Sequence, residues 1–218
     1  MTGEEQITEF ETLVDDDTTD QSQVLRWINQ SYDRINIARI WNYLRKQDTS
    51  NVIVGGTVTY SLPADFLFPS KEFVYLLDSN GEVSHKLKIV SFQDNLEFVN
   101  RSGYVYFDLV NSNLVFTARS TDLGSYIGKT LYIPYQYRPD QLTTSTSPVF
   151  ERAFHILPVY HAAKTFWYAD QQEKERSFHR EMDAEFARLM KEFRMWDQRM
   201  DFATKPSAQP LDNWSGID

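Results

Sequence analysis

The sequence predicts an α+β protein, in which an antiparallel helical bundle formed from both chain ends carries an inserted antiparallel β module. Near both ends of the 218-residue chain, apolar residues recur at the helical spacings of three and four. Between residues 50 and 140, short β-branched and aromatic runs alternate with turns that contain glycine or asparagine. The expected parts are an acidic N-terminal arm (1–19), a helical bundle domain (20–48 and 147–203), an inserted antiparallel β domain (49–146) and a C-terminal tail (204–218).

The first helix is expected to begin near Asp20, because Thr19, Asp20 or Ser22 can each accept a hydrogen bond from a first-turn amide. Trp41 and Leu44 extend its apolar pattern to about Gln47. The earlier apolar positions are Val24, Leu25, Ile28, Tyr32 and Ile35.

Residues 50–140 read as short strands joined by turns. Pro63 should end the first strand, because proline has no amide hydrogen for a sheet. Asp78–Gly81 predicts a hairpin turn, and Ser91 is a cap for a short helix. The predicted elements are a β-branched run over 52–60 with a turn at the glycine pair 55–56, a hairpin of 73–77 with 83–90, a short helix over 92–99, a hairpin of 104–110 with 114–117 and a last strand over 131–137.

Helix is expected again from Ser147, a good cap, and Pro148, a good first helical residue. Pro158 should kink or split this aromatic-rich run. A second helix then shows an apolar seam whose spacing suits packing along another helix. The seam consists of Phe178, Met182, Phe186, Leu189, Phe193, Trp196 and Met200.

Composition excludes several classes of protein. Hydrophobic residues make up 41% and charged residues 24%, which is ordinary for a globular protein, whereas the aromatic share is high at 15%. The absence of cysteine excludes a disulfide framework, a thiolate metal site and a cysteine nucleophile. No apolar run approaches the roughly 18 residues of a membrane span. We therefore expect a soluble protein of a reducing compartment with no membrane partner.

The net charge of −9 is concentrated in one segment. Residues 1–20 contain eight acidic side chains and no basic one, so the remainder of the chain is close to neutral. We interpret the acidic segment as a solvated, disordered arm. The alternative is a strip that lines a channel or meets a basic neighbour.

No motif carries catalytic chemistry. The four histidines lack the i, i+4 spacing of a metal pair, and Asp15–Asp17 lacks the alternate ligands and glycine of a calcium loop. There is no phosphate-binding loop and no nucleophile elbow. A glycosidase-like carboxylate pair has no spacing signature, and nothing favours one. We predict no catalytic, cofactor-binding or metal-binding residues and no enzymatic activity.

Arginines and aromatic residues are interleaved in the first and last helices. This combination occurs in nucleic-acid grooves and in protein interfaces. Acids such as Asp33 and Glu192 lie among them, which argues against a surface that follows phosphates. We therefore predict interface or core positions. The candidate interface residues are Arg39, Trp41, Tyr43, Arg194, Trp196, Arg199 and, in the tail, Trp214.

Three segments, in this order, resemble the head-to-tail adaptor proteins of tailed phages, the group that includes the tail tubular protein A of short-tailed phages. The first is Ala38–Leu44, at the end of an amphipathic helix. The second is Gly56–Phe66, which contains a Tyr-x-Leu-Pro-x-Asp-Phe pattern. The third is Leu131–Pro139, followed by the Pro-Val-Phe start of an aromatic helix at 148–150. Together they cover most of residues 20–200.

The resemblance implies a structural protein of the virion, made in the host cytoplasm and located at the capsid vertex. It would form a homo-oligomeric ring, usually a dodecamer, whose helical part meets the portal protein. The β module would meet the downstream tail or nozzle protein. Genome DNA would pass through the channel without sequence-specific binding. The family has no catalytic residues, so none are assigned.

Two other functions stay open on the sequence alone. The first is a phage tail or surface module that holds a receptor or glycan on its aromatic β domain. The second is an enzyme, which no motif supports.

Overall fold

The computed structural model describes the backbone of residues 1–15, 18–170 and 176–204, with side chains for residues 1–15, 18–166 and 180–200. The chain divides into two compact units. The helical unit comprises Met1–Tyr43 and Asp140–Asp218, and the β unit comprises Leu44–Pro139. Helices and a sheet are both present, so the α+β class is confirmed.

The described residues of the helical unit form four α-helices, and α3 packs against each of the other three. A short 3-10 helix, Arg152–Phe154, precedes α3. The α-helices are α1 (Gly3–Val14), α2 (Gln21–Ile37), α3 (Leu157–Asp170) and α4 (Arg176–Thr204).

The segment expected to be a solvated arm is instead helical over α1. Thr2 caps it by accepting a hydrogen bond from the Glu5 amide, and Ile7, Phe10 and Val14 are buried. Gly3 donates its amide hydrogen to Thr146 O at 2.9 Å, and a Cβ on Gly3 would collide with the backbone of Thr143. The disordered interpretation is therefore wrong for residues 3–14, since three apolar side chains at helical spacing outweigh the surrounding charge.

Helix α2 begins after the Asp20 cap, as predicted, but it ends at Ile37 rather than near Gln47. Trp41 instead folds back onto the end of α2 and donates its indole hydrogen to Ile35 O at 2.8 Å. The chain then enters the strand Arg45–Asp48. The apolar pattern continued past the helix because Trp41 and Leu44 are buried by tertiary contacts, not because they share a helix face.

The helix expected from Ser147 is also displaced. Helix α3 begins at Leu157, so Pro158 occupies its first turn and neither kinks nor splits it. Proline is tolerated there because a first-turn amide has no intrahelical acceptor.

The β unit is one mixed sheet in the order β1-β8-β4-β5-β6-β7-β2, with β3 also paired to β8. All pairings are antiparallel except β5 with β6, so the expected purely antiparallel module is wrong. The strands are β1 (Arg45–Asp48), β2 (Thr59–Ser61), β3 (Phe66–Pro69), β4 (Phe73–Leu77), β5 (Val83–Ile89), β6 (Tyr104–Asp108), β7 (Asn113–Phe116) and β8 (Thr130–Tyr137).

The parallel pair arises from a crossover between β5 and β6. This crossover carries the 3-10 helix Asn95–Phe98, where a short helix was predicted over 92–99. Ser91 accepts a hydrogen bond from the Asp94 amide at 3.1 Å, but the 3-10 helix begins only at Asn95 and has no side-chain cap, so the prediction of Ser91 as its cap is wrong. Parallel strands need such a crossing connection, whereas a tight turn can join only antiparallel strands.

Both predicted hairpins are confirmed. Gly81 has a φ of 80° in the β4–β5 turn, a conformation that most side chains disfavour. The β6–β7 turn places Ser112 at a φ of 53°. The turn predicted at the glycine pair 55–56 is present, with Gly56 at a φ of 85°, and the short strand β2 follows it and ends before Pro63. Before the turn only a bridge at Val52 forms.

Candidate functional site

A buried carboxylate in the helical unit holds the chain that follows α2 against α4. Asp197 is completely buried. Its Oδ1 accepts hydrogen bonds from the backbone amides of Asn42 (2.6 Å) and Tyr43 (3.1 Å). The Asn42 side-chain amide donates in turn to Asp197 O at 2.8 Å. These hydrogen bonds form a clamp that fixes residues 42 and 43 on α4.

An aromatic cluster surrounds the clamp, with Phe193 at its centre. The Phe193 ring lies 4.8 Å from Trp41 and 5.4 Å from Tyr43, measured between ring centroids. Trp196 stacks on Phe193 at 5.5 Å with an interplanar angle of 13°. Such pairs add about 0.5–1.5 kcal/mol each beyond the burial of apolar area. Phe150 and Phe154 complete the cluster.

The structure brings three of the seven predicted interface residues together in this cluster. Trp41 is completely buried, so its ring supports the surface from within and offers no face to a partner. Tyr43, Trp196 and Arg39 are half-buried, and the Arg39 guanidinium carbon lies 5.0 Å from the centre of the Trp41 ring. The remaining residues are Arg194 and Arg199, which are exposed on α4, and Trp214, which lies outside the described residues.

Sequence reasoning missed Asp197. A detectable signal was present, because Asp197 follows Phe193 by four residues and therefore lies on the same side of α4 as the apolar seam. An acid at that position must find buried donors or remain unpaired at high cost.

The predicted seam of α4 faces the interior over most of its described length. Met182, Leu189 and Phe193 are buried, Phe186 and Trp196 are half-buried, and Met200 is exposed. The opposite side of α4 is exposed and contains basic and small residues but no acid. We call it the α4 face, and it comprises Arg180, Ala184, Ala187, Lys191, Arg194 and Gln198.

Charges at the border of the α4 face are already paired. Arg188 binds Glu185 and Glu192 on the same helix, with N–O distances of 2.5 Å to each. The Arg188 guanidinium lowers the pKa of Glu185, and the two carboxylates raise the pKa of Arg188. By contrast, Arg180, Lys191 and Arg194 form no ion pair with any residue that the structure describes.

The outward side of α1 has the opposite charge. We call it the α1 face, and it comprises Glu4, Glu5, Thr8, Glu11, Thr12 and Asp15. Glu4, Glu11 and Asp15 have no ion-pair partner among the described residues. The helical unit therefore presents one acidic and one basic helix surface, and each lacks counter-charge at its centre.

The β unit exposes aliphatic side chains at its turns and at the β5–β6 crossover. Leu96 and Val110 are 79% and 92% exposed, respectively. Phe92, Val99 and Leu109 are exposed as well. Exposed apolar groups of this kind often mark protein-binding surfaces.

The described residues show no group of three or more His, Asp or Glu side chains that could hold a metal ion. Across the same part of the chain, no helix is both long enough and apolar enough to cross a membrane.

The chain thus consists of two compact units, with exposed charged helix faces in one and exposed apolar side chains in the other. The family model described as SU10 adaptor protein matches residues 1–207. Since this match covers nearly the whole chain, the protein belongs to the SU10 adaptor protein family. It is therefore a structural phage adaptor, and its family is not one of enzymes. The match includes residues 1–19, which the sequence resemblance had left out. A comparison with curated proteins gives no match.

Proposed function

We propose that this chain is the subunit of a head-to-tail adaptor ring, which docks on the phage portal and joins it to the next tail component. The observation that carries the proposal is the match to the adaptor family over residues 1–207. An adaptor needs two separate binding surfaces, and the two compact units can each supply one. The likeness to the tail tubular protein A group adds the expectation of twelve copies around a channel.

Within this proposal, the helical unit is a bundle domain that meets the portal. Helices from both chain ends pack on α3, which supports an antiparallel bundle formed from both ends. The Asp197 clamp and the aromatic cluster would stiffen this unit so that Arg39, Arg194 and Arg199 are held at its surface. We propose that residues 204–218, with Trp214, bind the portal as well.

The β unit is proposed as an inserted domain that meets the downstream tail or nozzle protein. The aliphatic side chains at its turns, Leu96 and Val110 among them, would be covered there. Genome DNA would pass through the ring without sequence-specific binding. The assembled protein would occupy the capsid vertex of the virion after synthesis in the host cytoplasm.

A receptor- or glycan-binding role for the β unit is less well supported. Glycan sites use exposed aromatic rings as stacking surfaces. Among the Phe and Tyr residues of 44–139, which the structure describes throughout, Phe92 alone is exposed. The aromatic content of this unit therefore serves mainly its core.

The proposal is tested by mixing the purified chain with purified portal rings, followed by sedimentation and electron microscopy. We expect a ring of the chain on one end of the portal and recovery of the protein in DNA-filled heads. A chain that stays monomeric with portal present and never enters such heads would reject the proposal.

The two proposed surfaces are then separated by variants. Deletion of residues 204–218 should weaken portal binding, and unchanged affinity would reject that role for the tail. Leu96→Asp with Val110→Asp should leave portal binding intact and block the next tail component. Equal attachment of that component by the variant and the original chain would exclude this surface.

A further inference from the structure

Two helix surfaces of the helical unit carry opposite charges that lack partners within the described chain. On the α1 face, Glu4 and Asp15 are exposed and unpaired, and the first base of the sequence is Arg26. On the α4 face, Arg180 and Lys191 are exposed and unpaired. Because α3 packs against both α1 and α4, the same unit displays both faces.

The charges on the two faces have the same spacing. Glu4 and Asp15 are eleven residues apart, and so are Arg180 and Lys191. At 1.5 Å per residue, each pair spans about 16 Å. Arg180 and Lys191 both lie within α4, whereas Asp15 is the left-handed C-cap directly after the last residue of α1. If the two helices run antiparallel, Glu4 lies opposite Lys191 while Asp15 lies opposite Arg180. This direction also brings opposite ends of the helix dipoles together.

The residues between these charges allow a close approach. In the antiparallel register, Thr8 lies opposite Ala187, and Ala184 lies opposite Glu11. All but the half-buried Glu11 are exposed. Small side chains at a helix contact permit the short end of the usual 8–10 Å interaxial distance.

We propose that the α1 face of one copy binds the α4 face of the next copy, and that this contact joins the subunits of the ring. This inference rests on the ring proposed above. A contact between two different faces is heterologous. An incomplete row of copies therefore keeps a free α1 face at one end and a free α4 face at the other until the ring closes. In this register one contact pairs Glu4 with Lys191 and Asp15 with Arg180.

DNA is a poorer occupant of the α4 face. Phosphates would pair with Arg180 and Lys191, but they would leave Glu4, Glu11 and Asp15 unpartnered and would be repelled by them. A second copy explains both faces at once. Because the charges are exposed, the contact should weaken as salt screens them.

Charge reversal tests the contact. In the acidic-face variant, Glu4→Lys is combined with Asp15→Lys; in the basic-face variant, Arg180→Glu is combined with Lys191→Glu. We expect each variant alone to lower ring assembly on the portal at least tenfold, because like charges would meet. The chain that carries all four changes should assemble again, since the charges are then merely exchanged. Such rescue also separates the effect from misfolding, which four changes would worsen.

A matched control reverses two exposed lysines of the β unit, Lys86→Glu with Lys88→Glu, and should assemble like the original chain. Full assembly by both single-face variants, or no rescue by the combined chain, would overturn the proposed contact. Failure of the basic-face variant alone, with normal assembly by the acidic-face variant, would also overturn it and would assign the α4 face to DNA or to the portal. If the original chain forms rings in these experiments, the proposed function stands independently of the contact.

Cross-linking tests the same contact without the portal. The chain has no cysteine, so introduced thiols give an unambiguous result. A concentrated mixture of Thr8→Cys chains and Ala187→Cys chains should form a mixed disulfide dimer under mild oxidation. In a control mixture, Asn80→Cys in the β4–β5 turn replaces Thr8→Cys. Equal yields in the two mixtures would refute the contact.

Discussion

Replacement of Asp197 by alanine should destabilise the helical unit strongly. The carboxylate is completely buried and accepts two backbone hydrogen bonds, from Asn42 at 2.6 Å and Tyr43 at 3.1 Å. Its removal leaves two partly buried amides without this acceptor. An unsatisfied buried donor costs about 1–3 kcal/mol, and partial burial places each amide in the lower half of that range. We therefore expect a loss of about 2–4 kcal/mol in the free energy of unfolding. This is a large fraction of the roughly 5–15 kcal/mol of a typical domain.

The variant Asp197→Asn should fall between alanine and the original residue. Both backbone amides donate to the same oxygen, Oδ1, so the amide oxygen of asparagine can accept both, whereas its NH₂ group would replace Oδ2 and face the Asn42 side-chain amide. A loss of about 0.5–1.5 kcal/mol is expected, the net contribution of the one hydrogen bond that is lost. The difference between the two variants therefore reports the contribution of the two backbone hydrogen bonds.

Tryptophan fluorescence during urea unfolding is the appropriate assay. All five tryptophans of the chain belong to the helical unit, and Trp41 and Trp196 lie in the cluster beside Asp197. The control Glu181→Ala removes an exposed acid from the same helix and should change stability by less than about 0.5 kcal/mol. If Asp197→Ala costs under about 1 kcal/mol, or no more than the control, the clamp does not hold the chain to α4.

Two further perturbations follow from burial. Phe193→Ala should lower the free energy of unfolding, measured in urea, by about 3–5 kcal/mol, because the Phe193 ring is completely buried. Phe186 is half-buried, so Phe186→Ala should cost less. Equal losses would contradict the burial of the seam described above. Burial also lowers the pKa of His155 and of His161. Since the unfolded chain then binds protons more readily, stability should be full above about pH 6.5 and fall as the pH drops through the lowered pKa values. Urea midpoints from pH 8 to pH 5.5 measure this, and replacing His161 by Gln should flatten the profile; an unchanged slope would contradict the assignment.

Local patterns predicted several elements well. The turn Asp78–Gly81 specified its hairpin because few residues besides glycine adopt positive φ. The seam of α4 predicted which side of that helix is buried, since Met182, Leu189 and Phe193 recur at the period of the helix. The turn sequence and the apolar spacing are both local patterns, each lying within the hairpin or helix that it predicts.

The candidate site was predictable only in part. Arg194 and Arg199 are exposed as an interface requires, but Trp41 proved to be core. The α1 face went unnoticed because charge dominated the segment and hid three apolar residues at helical spacing. The complementary faces needed the structure, since only the fold shows which charges are exposed and which are already paired.

By itself, the sequence determined the α+β class, the hairpins, the course of α4 and the resemblance to phage adaptors, because these depend on periodicity, turn chemistry and local motif order. The tertiary structure decided where α2 ends, how β5 pairs with β6, and that Asp197 binds the chain after α2. These features depend on contacts between residues as far apart as Asn42 and Asp197. Long-range contacts form only when the whole core is buried, and no short stretch of sequence specifies them.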